Sequence, residues 1–528
     1  MKDDRSARRD LVWLFGLALA VRILTALPMQ QPGYMDVYYY VDGGLSLYQG
    51  RGFSESFIWN YLDAPAGLPR PGHLYWMPLS SILVYLSFLL FDPTFGAAQA
   101  PFVLLSAFLP LLSYRVAWAV ARRRRHAWCA ALFTVFGGYY VAFWPLPDNF
   151  APFAVAGALC LFALGRGLET NAGRWFAVAG ICAGMATLAR SDGMLLAGVA
   201  FIVALLTIAP RNIWRAARHI LTFTICYLLI LSPWLIRNVQ VSGQPLAGAG
   251  MRTLWLTNYD DLFSYGKDLS WQTYLSWGWK NIIDAKLWGL WHNLQTLLAV
   301  DWVIVLAPFG LIGVWRLRRR ALLAPAWLYG LGLYLAMSLG FTFPGVRGAM
   351  LHSSVALLPF LFAASMSGLD AVIVWIAARR RHWRVGQAQS VFSAGLVLIV
   401  ALLSGFLYAQ KLPLYRGVHV YETIAAWLQE NAPPQARVLV NDPAAFYYYS
   451  QRQCVVVPNG DVETLLLVAD RYAARYLILD QNAPTALQPL YRGQQPDARF
   501  KAVKQFRDRR GNMVRVYRVE VGLFNSNL

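Results

Sequence analysis

The chain has 528 residues, of which 57% are hydrophobic and only 14% charged, with a formal net charge of +20. A soluble protein of this length carries roughly 25% charged residues, so the composition excludes an ordinary soluble globule. The positive charge lies in short arginine clusters between apolar blocks, which fits orientation in a bilayer and argues against a nucleic-acid partner.

In chain order, apolar blocks fall near residues 11–28, 79–91, 98–121, 127–145, 150–166, 175–189, 193–209, 216–236, 296–315, 321–341, 349–376 and 391–409. Most run to about 17–23 residues, enough to cross a hydrocarbon core of about 30 Å. The first lacks a small-residue cleavage site and reads as a span, not as a signal peptide. Pro78–Phe91 has about 14 residues, the length of an interfacial or re-entrant segment.

Charge fixes the topology. If 79–91 does not cross, then Lys2/Arg5/Arg8/Arg9, Arg122–Arg125, Arg166/Arg174, Arg211/Arg215/Arg218, Arg316/Arg318–Arg320 and Arg379–Arg381/Arg384 all fall inside. If it crosses, most of the later clusters fall outside. The positive-inside rule selects the first arrangement, with about eleven spans and a cytoplasmic N-terminus. The outer side then receives residues 29–97, the long loop 237–295 and everything after 410. This predicts a multi-pass protein of the plasma (inner) membrane whose functional loops face outward.

The first outer loop opens with Asp36-Val37-Tyr38-Tyr39-Tyr40. A carboxylate at the membrane surface can act as a general base toward a hydroxyl. It can equally cap the helix expected over Val37–Tyr48, and one residue could do both. Further on, His73-Leu74-Tyr75-Trp76 leads into the interfacial segment; its aromatics suit an interface belt, and His73 suits contact with a phosphate or sugar.

Asp148 lies in the turn between the third and fourth spans, and Arg190 and Asp192 in the Ala-Arg-Ser-Asp-Gly turn. An Arg190–Asp192 pair satisfies both charges; alternatively Arg190 faces an anionic ligand, because its forked donors match phosphate. Arg237 ends the seventh span in Pro-Trp-Leu-Ile-Arg-Asn. Arg347 precedes the tenth, with His352 one turn into it. Arg190, Arg237 and Arg347 are outer-side exceptions to the positive-inside pattern. With Asp36 and Asp148 on the same side, they point to an anion site. Arg22, inside the first span, is either snorkelling or paired.

In the long loop, Asn258–Asp261 reads as a turn or a weak cation site. Trp271, Trp277, Trp279, Trp288 and Trp291 read as interface residues. The five cysteines show neither a disulfide framework nor metal spacing. From 411 onward the chain changes character. A helix over Tyr421–Glu430 and one over Val462–Ala474 alternate with strands at Arg437–Val440, Cys454–Val457, Arg475–Leu479 and Met513–Val519, which predicts a small α/β domain. The fold class is therefore mainly α: a polytopic transmembrane bundle over 1–410 with juxtamembrane helices, and an extracytoplasmic α/β domain over 411–528.

The acid after the first span, the outer loop ending in an aromatic-Pro helix, Ala189-Arg190-Ser191-Asp192-Gly193 and Pro233-Trp234-Leu235-Ile236-Arg237-Asn238 together resemble the GT-C glycosyltransferases. The similarity is to their protein mannosyltransferase and aminoarabinose transferase branch, over about residues 10–410. The resemblance implies inverting transfer of a sugar from a polyprenyl-phosphate donor to an acceptor hydroxyl on a protein, lipid or glycan. Asp36 takes the place of the catalytic acid of the first loop, and Arg190, Arg237 and Arg347 are candidates for the donor phosphate. Tyr39, Tyr40, His73, Tyr75, Trp76, Asp148, Asp192 and His352 are candidates for substrate contact. Val37 replaces the second acid of the family's frequent Asp-Glu pair. No cofactor is certain, no metal ligands are assigned, and a divalent cation stays open. The alternative is a transporter or flippase of a lipid-linked sugar, although the repeated halves common in transporters are not seen.

Overall fold

A computed structural model describes residues 2–246, 248–343, 348–380 and 383–520. The chain divides into two compact units: one of residues 1–30, 76–246 and 280–415, the other of 31–75, 247–279 and 416–528.

The first unit is helical. Among the described residues, seven stretches are long and apolar enough to cross a membrane: Phe95–Ala121, Phe150–Thr170, Ser191–Ile208, Ile213–Ser242, Ala321–Gly340, Ala349–Ala377 and the one that opens with Val385–Lys411. The chain is a polytopic membrane protein. Large apolar side chains on this unit face outward, among them Leu24, Leu206, Trp214 and Leu402, each more than 60% exposed. That surface needs hydrocarbon around it.

The segment expected not to cross forms the ten-residue helix Leu79–Phe88. At 1.5 Å per residue it reaches about half the depth of a bilayer core. The first predicted span lies in the unbroken helix Lys2–Ala26, the 175–189 block in the 17-residue helix Gly173–Ala189, and two others are interrupted. The 127–145 block becomes Arg124–Phe136 followed by a 3-10 turn over Gly138–Ala142. The 296–315 block breaks into a π-helical stretch, Thr296–Asp301, and the helix Ala307–Leu317. Between them Val303 and Ile304 adopt left-handed backbone, at φ 50° and 52°. β-Branched residues are held there only by surrounding structure.

Buried charges in this unit are compensated in place. Arg22 is fully buried and donates to the carbonyls of Val135 and Thr134 at 2.6 and 3.0 Å, with its guanidinium over Trp144. Those carbonyls end a helix and lack intrahelical partners, so the cation meets both orphan acceptors and the negative end of the helix dipole. Arg22 is paired, not snorkelling. Asp10 accepts from Arg124 and Tyr114, and Asp370 binds Arg123, Arg125 and His126. Helices Ala307–Leu317 and Leu358–Ala377 pack backbone to backbone: a Cβ on Gly313 would meet the Ala364 carbonyl, and one on Gly368 that of Phe309. Small residues permit such close crossings, which supply the dispersion energy that lipid does not.

The second unit is built on a six-stranded sheet. Its strands are β2 (Phe57–Ile58), β4 (Arg437–Val440), β5 (Cys454–Val456), β6 (Ala474–Leu479), β7 (Phe500–Arg507) and β8 (Met513–Val519), in the order β2-β5-β4-β6-β8-β7. β2, β5, β4 and β6 run parallel, and β8 and β7 complete the sheet antiparallel. Helices Pro443–Ser450 and Val462–Arg471 make the crossovers that parallel pairing demands. β1 (Ser54–Glu55) and β3 (Arg70–Pro71) form a separate antiparallel pair. The predicted tail strands all appear. What the sequence does not show is that Phe57 and Ile58, from the first loop, pair with Cys454 and Val455. Ile58 and Tyr61 then share a core with Leu439, Val455 and Leu477.

Candidate functional site

In the second unit, Asp36 lies in the first turn of the helix Met35–Tyr48. The N-cap is Tyr34, whose side chain makes no capping bond. The capping reading of Asp36 therefore fails: it sits two positions inside, half-buried, where the helix dipole favours a carboxylate.

The tyrosines after it are structural anchors. Tyr38 Oη is 2.9 Å from Tyr449 Oη. Tyr39 donates to Glu55 Oε1 and is itself met by the His73 backbone N–H at 2.8 Å, which also lies 3.0 Å from that carboxylate oxygen. Tyr40 stacks on His73, and Tyr75 stands edge-on to Trp59. Tyr39, Tyr40 and His73 are thus brought together, each at most 3% exposed. Their rings build the loop that carries Asp36.

Glu55, which no sequence signal marks, is the hub of this cluster. It is buried, faces Arg70 Nε at 3.6 Å, and Arg70 in turn pairs with Asp63. Burial raises the Glu55 carboxyl above its usual range, with Arg70 and Tyr39 opposing. In the loop 247–279, Asp261 accepts from Lys267 and from the Asn258 and Thr257 N–H groups, and Asn258 closes a capping box. The Asn258–Asp261 segment is a turn.

In the first unit, the turn at 190–192 meets the segment around 353. Arg190 Nε donates to Asp192 Oδ1 at 3.0 Å and to Ser353 Oγ at 3.1 Å, and the Ser353 hydroxyl donates to the other Asp192 oxygen. Tyr329 holds the Ser353 carbonyl at 3.1 Å. The Arg190–Asp192 pair expected from burial cost forms, with a serine as its third member.

His352 lies beside Ser353 and stacks on Phe150, ring centroids 4.5 Å apart. Phe150 follows Asp148 by two residues, and the fully buried Asp148 accepts the Asn149 N–H. Just deeper, Asp301 Oδ1 accepts from Tyr140 at 2.7 Å and from Ser354 at 2.9 Å. Only the position of Asp301 within an apolar block could have flagged it. Arg237 lies over Trp234 and donates to Asn238. Trp76 begins the second stretch of this unit and is half-buried. Arg347 lies outside the described residues.

Asp36 belongs to one unit, and Asp148 and His352 belong to the other. Within each unit the chemistry is clear. One presents an acid on a rigid helix end, and the other a guanidinium fixed by a carboxylate and a hydroxyl.

The fold is similar to those of solved GT-C glycosyltransferases, and part of the chain resembles their protein mannosyltransferase branch. Residues 77–236 match the family described as dolichyl-phosphate-mannose-protein mannosyltransferase. Among solved structures, the archaeal oligosaccharyltransferase AglB from Archaeoglobus fulgidus, in complex with an inhibitory peptide and a dolichol-phosphate, aligns with TM-score 0.62 and 13% identity. The alignment covers 100% of this chain and 75% of that one. ArnT from Cupriavidus metallidurans bound to undecaprenyl phosphate aligns with TM-score 0.56 and 14% identity, over 98% of this chain and 99% of that one. The apo state of the same ArnT aligns with TM-score 0.60. No curated protein matches in sequence.

Proposed function

We propose that this protein is a membrane glycosyltransferase that moves a sugar from a polyprenyl-phosphate donor to an acceptor hydroxyl at the outer face, with inversion. The observation that carries the reading is the end-to-end similarity to a GT-C structure that holds undecaprenyl phosphate. A chain that also places an acid in the first helical turn after its first span, and a fixed arginine at 190, has the parts this transfer needs.

In the proposed step Asp36 takes the acceptor hydroxyl proton as that oxygen attacks the anomeric carbon from the face opposite the phosphate. The new C–O bond forms while the old one breaks, and its electron pair leaves on the phosphate. Arg190, Arg237 and Arg347 neutralise the departing phosphate, so that charge need not develop against hydrocarbon. One base and one leaving-group clamp suffice for inversion, whereas retention of the glycosidase kind uses two carboxylates flanking the bond.

Purified protein in detergent should form product from a polyprenyl-phosphate sugar and an acceptor. A transporter would form none, since it needs two compartments. Asp36→Asn should lower turnover by about 10²–10⁴-fold, the usual worth of a positioned base, with insertion and thermal stability unchanged. Wild-type turnover in that variant would remove Asp36 from the mechanism. Cysteine accessibility at position 36 from the outer side, and at 123 from the inner side, tests the topology.

A further inference from the structure

The second unit contains a small cavity of about 10 Å³ against the helix Met35–Tyr48, room for a group about the size of a water molecule, lined by Tyr39, Asp42, Ser46, Arg51, Glu55 and Tyr447 among others. Asp42 is six positions after Asp36. The two are therefore about 9 Å apart along the helix axis and about 120° apart around it, so the cavity is on another face from the proposed base. Asp42 is 4% exposed, and both its carboxylate oxygens are buried with no hydrogen-bond partner among the described residues.

Neighbouring donors are committed elsewhere. The Ser46 hydroxyl donates to the Gly52 carbonyl at 3.0 Å, Arg51 Nη1 to the Tyr447 hydroxyl at 2.7 Å, and the Tyr39 hydroxyl to Glu55. A buried carboxylate without donors is costly, and the cost is relieved only by a proton or by a ligand that brings donors. Burial drives the Asp42 carboxyl well above its usual range, with Arg51 opposing and Asp442 adding to the rise.

We propose that this cavity seats a small primary ammonium group, with Asp42 as its counter-ion. Three features select an ammonium. Its three N–H donors can serve two carboxylate oxygens, whereas a hydroxyl brings only one. The acids around the cavity, Asp42 and Glu55 with Asp442 close by, outnumber the two nearby arginines, Arg51 and the Arg70 that already faces Glu55. The rings of Tyr39, Phe53 and Tyr447 line the walls and suit a cation. A metal ion is disfavoured, because no three carboxylate, imidazole or thiolate ligand atoms converge on Asp42 among the described residues. The inference does not depend on the transfer reaction.

The test is saturation-transfer NMR on the full chain in detergent, at constant ionic strength. The probes are methylammonium and N-acetyl-lysinamide, with tetramethylammonium as a control that lacks N–H donors. Methylammonium should bind the wild type and Asp36→Asn alike, and Asp42→Asn at least fivefold less. Arg51→Gln, an exposed change that removes the opposing charge, should strengthen binding about two- to threefold. Binding of the lysine probe as well assigns the site to an amine carried on a larger molecule; methylammonium alone assigns it to a free amine. Equal binding by wild type and Asp42→Asn, equal binding of tetramethylammonium, or no change in Arg51→Gln would overturn the proposal.

Discussion

Buried charges in the two units can meet opposite surroundings. In the helical unit, Asp370 has two arginines and a histidine, Asp10 has Arg124 and Tyr114, and Arg22 has two backbone carbonyls. In the sheet unit, Asp42 is also buried, and its oxygens meet no hydrogen-bond donor among the described residues. Hydrocarbon offers no water to complete a hydration shell, so a charge beside it must carry its partner in the fold. A domain bathed in water can leave a buried charge to be completed from solution. The proposed ammonium site at Asp42 rests on that difference, whereas a compensated acid in the bundle acts as a fastening.

That contrast can be broken most directly at Asp370. Asp370→Ala leaves Arg125 and His126 without their anion in a partly buried place, and should cost about 3–5 kcal/mol. Thermal unfolding in detergent measures it; a loss below about 1 kcal/mol would mean that the bundle does not depend on internal pairing.

Arg190 sharpens the contrast within the bundle, because its fastening to Asp192 and Ser353 also serves the proposed clamp. Arg190→Ala should raise the KM for the polyprenyl-phosphate donor about 10–100-fold, equivalent to about 1.4–2.8 kcal/mol. Arg190→Lys should recover little, since a point charge cannot reproduce a planar fork. An unchanged donor dependence would leave Arg190 as a strut only.

The smallest effect belongs to Asp442 in the sheet unit, whose carboxyl is pushed up to about 6 by burial while the Ala445 N–H it caps pulls it down. The folded form then binds its proton more tightly than the unfolded form. Stability from this group is fullest below about pH 4 and falls as pH rises from about 4 to 6. Asp442→Asn keeps a capping oxygen and removes that slope. It should gain about 1–2 kcal/mol over wild type at pH 7.5 and almost nothing at pH 4, read by melting at both pH values. Parallel melting curves for the two proteins would show that Asp442 titrates normally.

Much of this could be read along the chain. Hydrophobic blocks of span length mark the bundle, and block length marks 79–91 as unusually short, where the structure has a ten-residue helix. Short apolar runs at 437–440, 454–457 and 475–479 and an alternating stretch at 513–519 placed those tail strands almost as they occur. These signals are local: hydrophobic length, charge sign and side-chain period act within one turn or one strand, so neighbours in sequence suffice to reveal them.

Other features needed the third dimension. Arg22 finds Val135 and Thr134 more than a hundred residues away, Arg190 finds Ser353, and Phe57–Ile58 of the first loop joins a sheet whose other strands begin at Arg437. Tyr39, Tyr40 and His73 are candidates for substrate contact by sequence, and the structure adds that all three are buried. Glu55 and Asp42 carried no pattern at all. Composition and periodicity determine which stretches must leave water. Which buried charge meets a partner, and which is left waiting for one, is decided only when distant segments close around it, because the cost of an unpaired charge depends on its surroundings and not on its neighbours in the chain.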